Sequence, residues 1–86
     1  MSDNLSNDHN FTSPIPQGIY RHYKGNLYQV LHTARHSETD EPMVVYRCLY
    51  GDYSVWVRPL VMFTEMVMID GEQVPRFELV RTLASG

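Results

Sequence analysis

Between residues 18 and 80 the chain alternates short runs of β-branched and aromatic side chains with pairs of Gly, Asn, Asp or Pro. No window keeps a 3.6-residue apolar period over eleven or more positions, so strands rather than a long helix are expected. The predicted strands cover 18–24, 27–35, 43–50 and 53–58, followed by a helical turn at 59–63 and a last hairpin from 65–69 and 73–80. Gly25-Asn26, Gly51-Asp52 and Asp70-Gly71 read as tight turns, because glycine accepts the positive φ such turns need. Ser37 to Pro42 reads as a polar turn whose short side chains bond their own backbone. Pro59 lacks the donor that a central strand requires and so ends the fourth strand.

Several short strands in one small domain point to an all-β fold, a small antiparallel SH3-like barrel of about five to six strands, with an OB-like barrel as the alternative. Barrel closure also disposes of open sheet edges. The expected organisation is a disordered tail at 1–16, one β-barrel domain at 17–82 and a short C-terminal tail at 83–86. Ser, Asp, Asn, Thr and Pro dominate the first of these and cannot offset its ordering entropy.

Alternation along strands also sorts the side chains by face. It groups Tyr20, His22 and Lys24; then Tyr28, Val30, His32, Ala34 and His36; then Val44, Tyr46, Cys48 and Tyr50; then Ser54, Trp56 and Arg58. A two-residue turn at Gly25-Asn26 pairs Lys24 with Leu27, which sets the first group against Leu27, Gln29 and Leu31 and splits the aromatic positions over two faces. Both faces hold apolar residues, so periodicity leaves the interior face open.

Charge changes this picture little. The chain carries −3 overall, yet residues 19–58 hold five basic and four acidic side chains and the remainder two and six. A local anion site is therefore permitted, whereas a broad basic footprint for nucleic acid is absent. A single cysteine, Cys48, excludes an intramolecular disulfide and reads as a small core residue. With no early apolar run, the expected compartment is a reducing cytoplasm, with no membrane association. The methionines are expected to fill the core.

Candidate chemistry is sparse. Trp56 and Arg58 share a strand face, and an indole beside a guanidinium can engage a planar or anionic ligand. The competing role puts Trp56 in the core and pairs Arg58 with Glu38 or Glu65. His36, Ser37 and Glu38 hold the atoms of nucleophilic chemistry but are consecutive, and adjacent side chains diverge. His32 and His36 would lie about 13 Å apart on a strand, too far to share one ion. No phosphate loop is present, and no metal or cofactor is implied.

Four motifs carry a resemblance: Gly18-Ile-Tyr-Arg-His-Tyr-Lys-Gly-Asn26, Ala34-Arg-His-Ser-Glu-Thr39, Val44-Val-Tyr-Arg47 and Trp56-Val-Arg-Pro-Leu60. With Met62-Phe63 and Pro75-Arg-Phe77 they resemble the signature of a small bacterial family, the domain of unknown function numbered sixteen fifty-three, over roughly residues 17–80. The resemblance implies an SH3-like barrel in a small cytoplasmic bacterial protein and implies no activity.

The function expected is a non-catalytic binding module in which His36, Glu38, Trp56 and Arg58, with Arg21 or His22, meet a small anionic or planar ligand or a peptide. A hydrolase using His36 with Glu38 or Arg58, and a weak single-stranded nucleic-acid module, are the alternatives. Ligand identity and oligomeric state are left open.

Overall fold

The structure is a computed structural model and describes residues 15–83. The chain runs β1 (Gly18–His22), β2 (Leu27–Arg35), β3 (Pro42–Cys48), β4 (Val55–Pro59), α1 (Leu60–Phe63), β5 (Met66–Ile69), β6 (Glu72–Pro75) and β7 (Phe77–Thr82). Five strands form an antiparallel sheet in the order β4-β3-β2-β1-β7, and β5 with β6 forms a separate two-stranded ribbon. The fold is small, all-β and barrel-like, with one helical turn where Pro59 ends β4. The expected tails at 1–16 and 83–86 lie largely outside the described residues. Packing already begins at Ile15, which leans on the core, and at Pro16, whose carbonyl accepts the Tyr20 hydroxyl at 2.7 Å.

The first hairpin does not turn where the Gly-Asn pair suggested. Gly25 N–H donates to His22 O at 2.7 Å, and His22 N–H donates to Asn26 O at 2.8 Å, which leaves a three-residue loop of Tyr23, Lys24 and Gly25. Gly25, at φ 112°, takes the last loop position, as glycine does after a tight turn with a bulge. The strand pairing moves accordingly. Tyr20 faces Tyr28 and Gly18 faces Val30, instead of Lys24 facing Leu27. Tyr20, Tyr28 and Val30 thus share one face, and the expected split of the aromatic set is overturned.

A second correction comes from the middle of β2. Val30 pairs with Tyr46 but His32 pairs with Val45, so Leu31 is an extra residue and every later side chain changes face. The carbonyl of this bulged residue accepts the Gln17 side-chain amide at 2.6 Å. Consequently His32 and Ala34 do not share the face of Tyr28 and Val30, although simple alternation put them there. The bulge turns Thr33 toward the side of Val44, its cross-strand partner.

The interior face is the one carrying Tyr20, Val30, Val44, Tyr46 and Cys48, completed by Phe63 from α1 and Phe77 from β7. Cys48 is a buried free thiol, as its place in an apolar strand suggested. The methionines do not fill this core. Met62, Met66 and Met68 are exposed, because α1 turns Leu60 and Phe63 toward the core and the β5–β6 ribbon stands outside the five-stranded sheet.

Asp70 and Gly71, with φ of 51° and 82°, make the predicted tight turn of that ribbon. The strand expected at 73–80, however, breaks at Arg76. β6 stays with β5 while β7 leaves to pair with β1, from Phe77 opposite His22 to Thr82 opposite Gly18. Arg76 fixes the change of direction through its backbone: its N–H donates to Glu65 O and its carbonyl accepts from Tyr23 N–H, both at 2.9 Å. β4 and β7 form the two edges of the sheet and share no ladder. Side chains close the gap. Phe63 stacks on Phe77 with ring centroids 4.1 Å apart and planes within 1°, and Tyr20 meets Phe63 edge-on at 5.4 Å.

Two substitutions test this account. Phe63→Ala is expected to lower stability by about 3–5 kcal/mol, since it opens a cavity at the closure point. Urea denaturation measures the loss; a fall of under 1 kcal/mol would show that the stack is incidental. Gly18→Ala is expected to cost roughly 1–3 kcal/mol through overpacking, because a Cβ there would meet Arg81 O at 2.3 Å and Thr82 Cα at 2.9 Å.

Candidate functional site

Pairing of β3 with β4 places Tyr46 opposite Trp56 and Val44 opposite Arg58. Directly paired residues project to the same side of a sheet, so Trp56 and Arg58 lie on the interior face. Since β4 is an edge, no further strand covers them. A cavity of about 420 Å³ results, lined by Tyr28, Tyr46, Cys48, Trp56 and Arg58, with Tyr50, Gly51, Asp52 and Ser54 from the β3–β4 connection. Its size falls in the range of small-ligand pockets. The connection is wider than the two-residue turn expected at Gly51-Asp52, because Cys48 N–H donates to Ser54 O at 3.0 Å and leaves residues 49–53 outside the ladder.

The walls are aromatic and held by hydrogen bonds. The Trp56 indole N–H donates to Ser54 Oγ at 2.7 Å. At 57% exposure the ring is too open to be a core residue. The Tyr28 and Tyr50 hydroxyls lie 3.0 Å apart, and Tyr28 meets Tyr46 and Tyr50 edge-on, each at 5.6 Å. The hydrogen bond with Tyr28, with desolvation second, raises the Tyr50 pKa above the usual phenol value. Tyr50 is thereby a weaker acid than an ordinary phenol and stays neutral.

Arg58 and Arg76 each bury an Nε without an acceptor, and of the two Arg58 alone lacks a carboxylate partner among the described residues. The Arg58 Cζ sits 5.6 Å from the Phe77 ring centroid. Glu65, one expected partner, instead accepts from Arg76 at 3.2 Å. A buried donor on a charged group that lacks an acceptor typically costs about 1–3 kcal/mol or more.

His22 also meets the Phe77 ring, edge-on with centroids 5.0 Å apart. Its Nδ1 accepts the Lys24 N–H at 3.1 Å, which puts the proton of the neutral imidazole on Nε2. Desolvation first, then the positive charges of Arg76, Arg58 and Lys24, lower its pKa below the ordinary 6.5.

The sequence-predicted set is only partly brought together. Trp56 and Arg58 share the cavity. His36 and Glu38 do not line it; they lie in the β2–β3 turn, where His36 Nδ1 accepts the Glu38 N–H at 3.1 Å and the Thr39 N–H at 3.3 Å. The histidine there organises a turn. Arg21 and His22 line a different cavity of about 270 Å³ with Tyr23, Ile69, Val74, Pro75 and Glu78. Among the described residues no cluster of three or more His, Cys, Asp or Glu could hold a metal, and no helix is long and apolar enough to cross a membrane.

Comparison with known proteins gives a family and no activity. A family model described as "Protein of unknown function (DUF1653)" matches residues 18–79. The chain belongs to the DUF1653 family. The DUF1653 protein from Bordetella bronchiseptica, known as a crystal structure, is 37% identical, with a TM-score of 0.73 over 85% of this chain and 96% of its own. No curated protein matches. The matched span of this DUF1653 domain includes all four motifs and every wall residue of the cavity.

Tyr28, Tyr50, Asp52 and Ser54 are among the wall residues that sequence reasoning did not select, and Tyr46 was not joined to Trp56. Alternation had put Tyr46 and Tyr50 on one face and Ser54, Trp56 and Arg58 on another strand's face. The missing information was the register joining the two.

The depressed His22 pKa makes a testable statement about stability. Between its folded-state pKa and 6.5 the unfolded chain binds more protons than the folded one, so stability rises with pH across that window and is lost below it. Thermal unfolding between pH 5 and 7.5 should therefore show a weaker pH dependence in His22→Asn than in the native chain. Identical slopes would mean that His22 titrates without strain.

Proposed function

We propose that the domain is a non-catalytic binding module for a small anionic, planar ligand, held in the cavity between β3 and β4. The buried, acceptor-less Nε of Arg58 carries this reading. The guanidinium has no carboxylate partner among the described residues, and the aromatic walls supply stacking surface beside it. Trp56 would offer a ring face, Arg58 a charge and a donor fork, and the paired hydroxyls of Tyr28 and Tyr50 a directional contact. His36 and Glu38 fall outside this site, and a hydrolase built on them would lack a shared pocket with Arg58. A reducing, cytoplasmic bacterial setting belongs to the same reading.

Arg58→Met gives a direct test. Replacing an unsatisfied buried donor by an apolar side chain should change stability by no more than about 1 kcal/mol. The same change should abolish binding of anionic aromatic compounds followed by amide shifts around Tyr46, Ser54 and Trp56. Equal binding by the native and Arg58→Met chains would sink the proposal.

A further inference from the structure

The cavity differs chemically from one end to the other. Arg58 and Ser54 are four residues apart along the chain, about 13 Å if extended. At the Arg58 end the guanidinium has no acceptor for its Nε and no carboxylate partner among the described residues. At the opposite end lies Asp52. Its Oδ1 accepts the Ser54 N–H at 3.1 Å, and its second oxygen takes no hydrogen bond among the described residues. Between them stand Trp56, Tyr46, Tyr28 and Tyr50, with the indole pinned through Ser54 Oγ. The complementary molecule has an anionic head, a planar ring and an N–H donor on the far edge of that ring.

Resting on the reading of this cavity as an anion site, we propose that its ligand is a nucleoside monophosphate with an amino-bearing base. The phosphate lies on Arg58, the base stacks against Trp56 and the exocyclic amino group donates to Asp52. One guanidinium without a carboxylate partner among the described residues matches one phosphate better than two or three. Charge disfavours a polynucleotide: the chain is −3 overall, with no basic track to follow a strand backbone. Asp52 also selects. A carboxylate oxygen accepts from an amino group and repels the carbonyl that replaces it in a deaminated base.

The single tryptophan makes the test direct, because ring stacking should quench its fluorescence. The full chain is titrated with AMP, IMP, adenosine, ribose 5-phosphate, phenyl phosphate and a deoxythymidine decamer, by calorimetry and fluorescence. AMP is expected to bind and quench Trp56, with IMP, adenosine and ribose 5-phosphate each at least about tenfold weaker, a difference of about 1.4 kcal/mol. Asp52→Asn keeps the oxygen that holds the turn, so it should leave the melting temperature unchanged while removing the preference for AMP over IMP. Arg58→Met should abolish AMP binding. If phenyl phosphate and IMP bind as tightly as AMP, and only Arg58→Met weakens them, the nucleotide assignment is overturned while the anion site stands. Failure of every anionic aromatic probe to bind overturns both. Tighter, salt-dependent binding of the decamer overturns the mononucleotide in favour of a strand.

Discussion

Closure of this domain rests on two phenylalanines. The edge strands β4 and β7 exchange no ladder hydrogen bonds, so the sheet is joined across the gap by Phe63 from α1 lying flat on Phe77. Each position follows from a proline. Pro59 ends β4 and lets one helical turn carry Phe63 inward, and Pro75 precedes the residue at which the chain leaves the ribbon for β1. Around the stack, Tyr20, Tyr28 and Tyr46 meet these rings edge-on or tilted, at centroid distances of 5.3 to 6.4 Å. Aromatic pairs in these arrangements add roughly 0.5–1.5 kcal/mol each beyond the area they bury, although neighbouring pairs do not sum independently.

The aromatic cluster that forms the core also forms the wall of the candidate site. Tyr46 is buried, yet it lines the cavity; Tyr28 touches Phe77 on one side and Tyr50 on the other. The Tyr28 and Tyr46 walls are held by the packing that stabilises the domain, and walls fixed in advance reduce the entropy lost on binding. Arg58, like Arg76, breaks the local rule that buried donors find acceptors. It does so beside a preformed cavity, where such an exception is most informative about function.

Two local irregularities decide which side chains meet. The three-residue loop ending at Gly25 sets Tyr20 opposite Tyr28, and the extra residue at Leu31 separates the first half of β2 from the second. Without the loop the tyrosines would divide between faces. Without the bulge His32 would face inward with Val30. The domain therefore depends on its irregular positions as much as on its alternating ones.

The sequence alone determined the strand-rich class, the position of most strands, the helical turn after Pro59 and the Asp70-Gly71 turn, because each rests on local preferences of a few neighbouring residues. It also marked Trp56 and Arg58 as companions, since residues two apart on a strand must share a side. It did not determine the interior face, as both faces of β2 carry apolar side chains. Nor did it reveal the companionship of Tyr46 with Trp56, the departure of His36 into a turn, or the break at Arg76 that sends β7 to β1. Those depend on register and on contacts between residues far apart in the chain, where shifting by one residue exchanges every inward side chain for an outward one. Tertiary packing makes that choice by burying the aromatic set together, and in doing so it leaves Arg58 beside an open cavity.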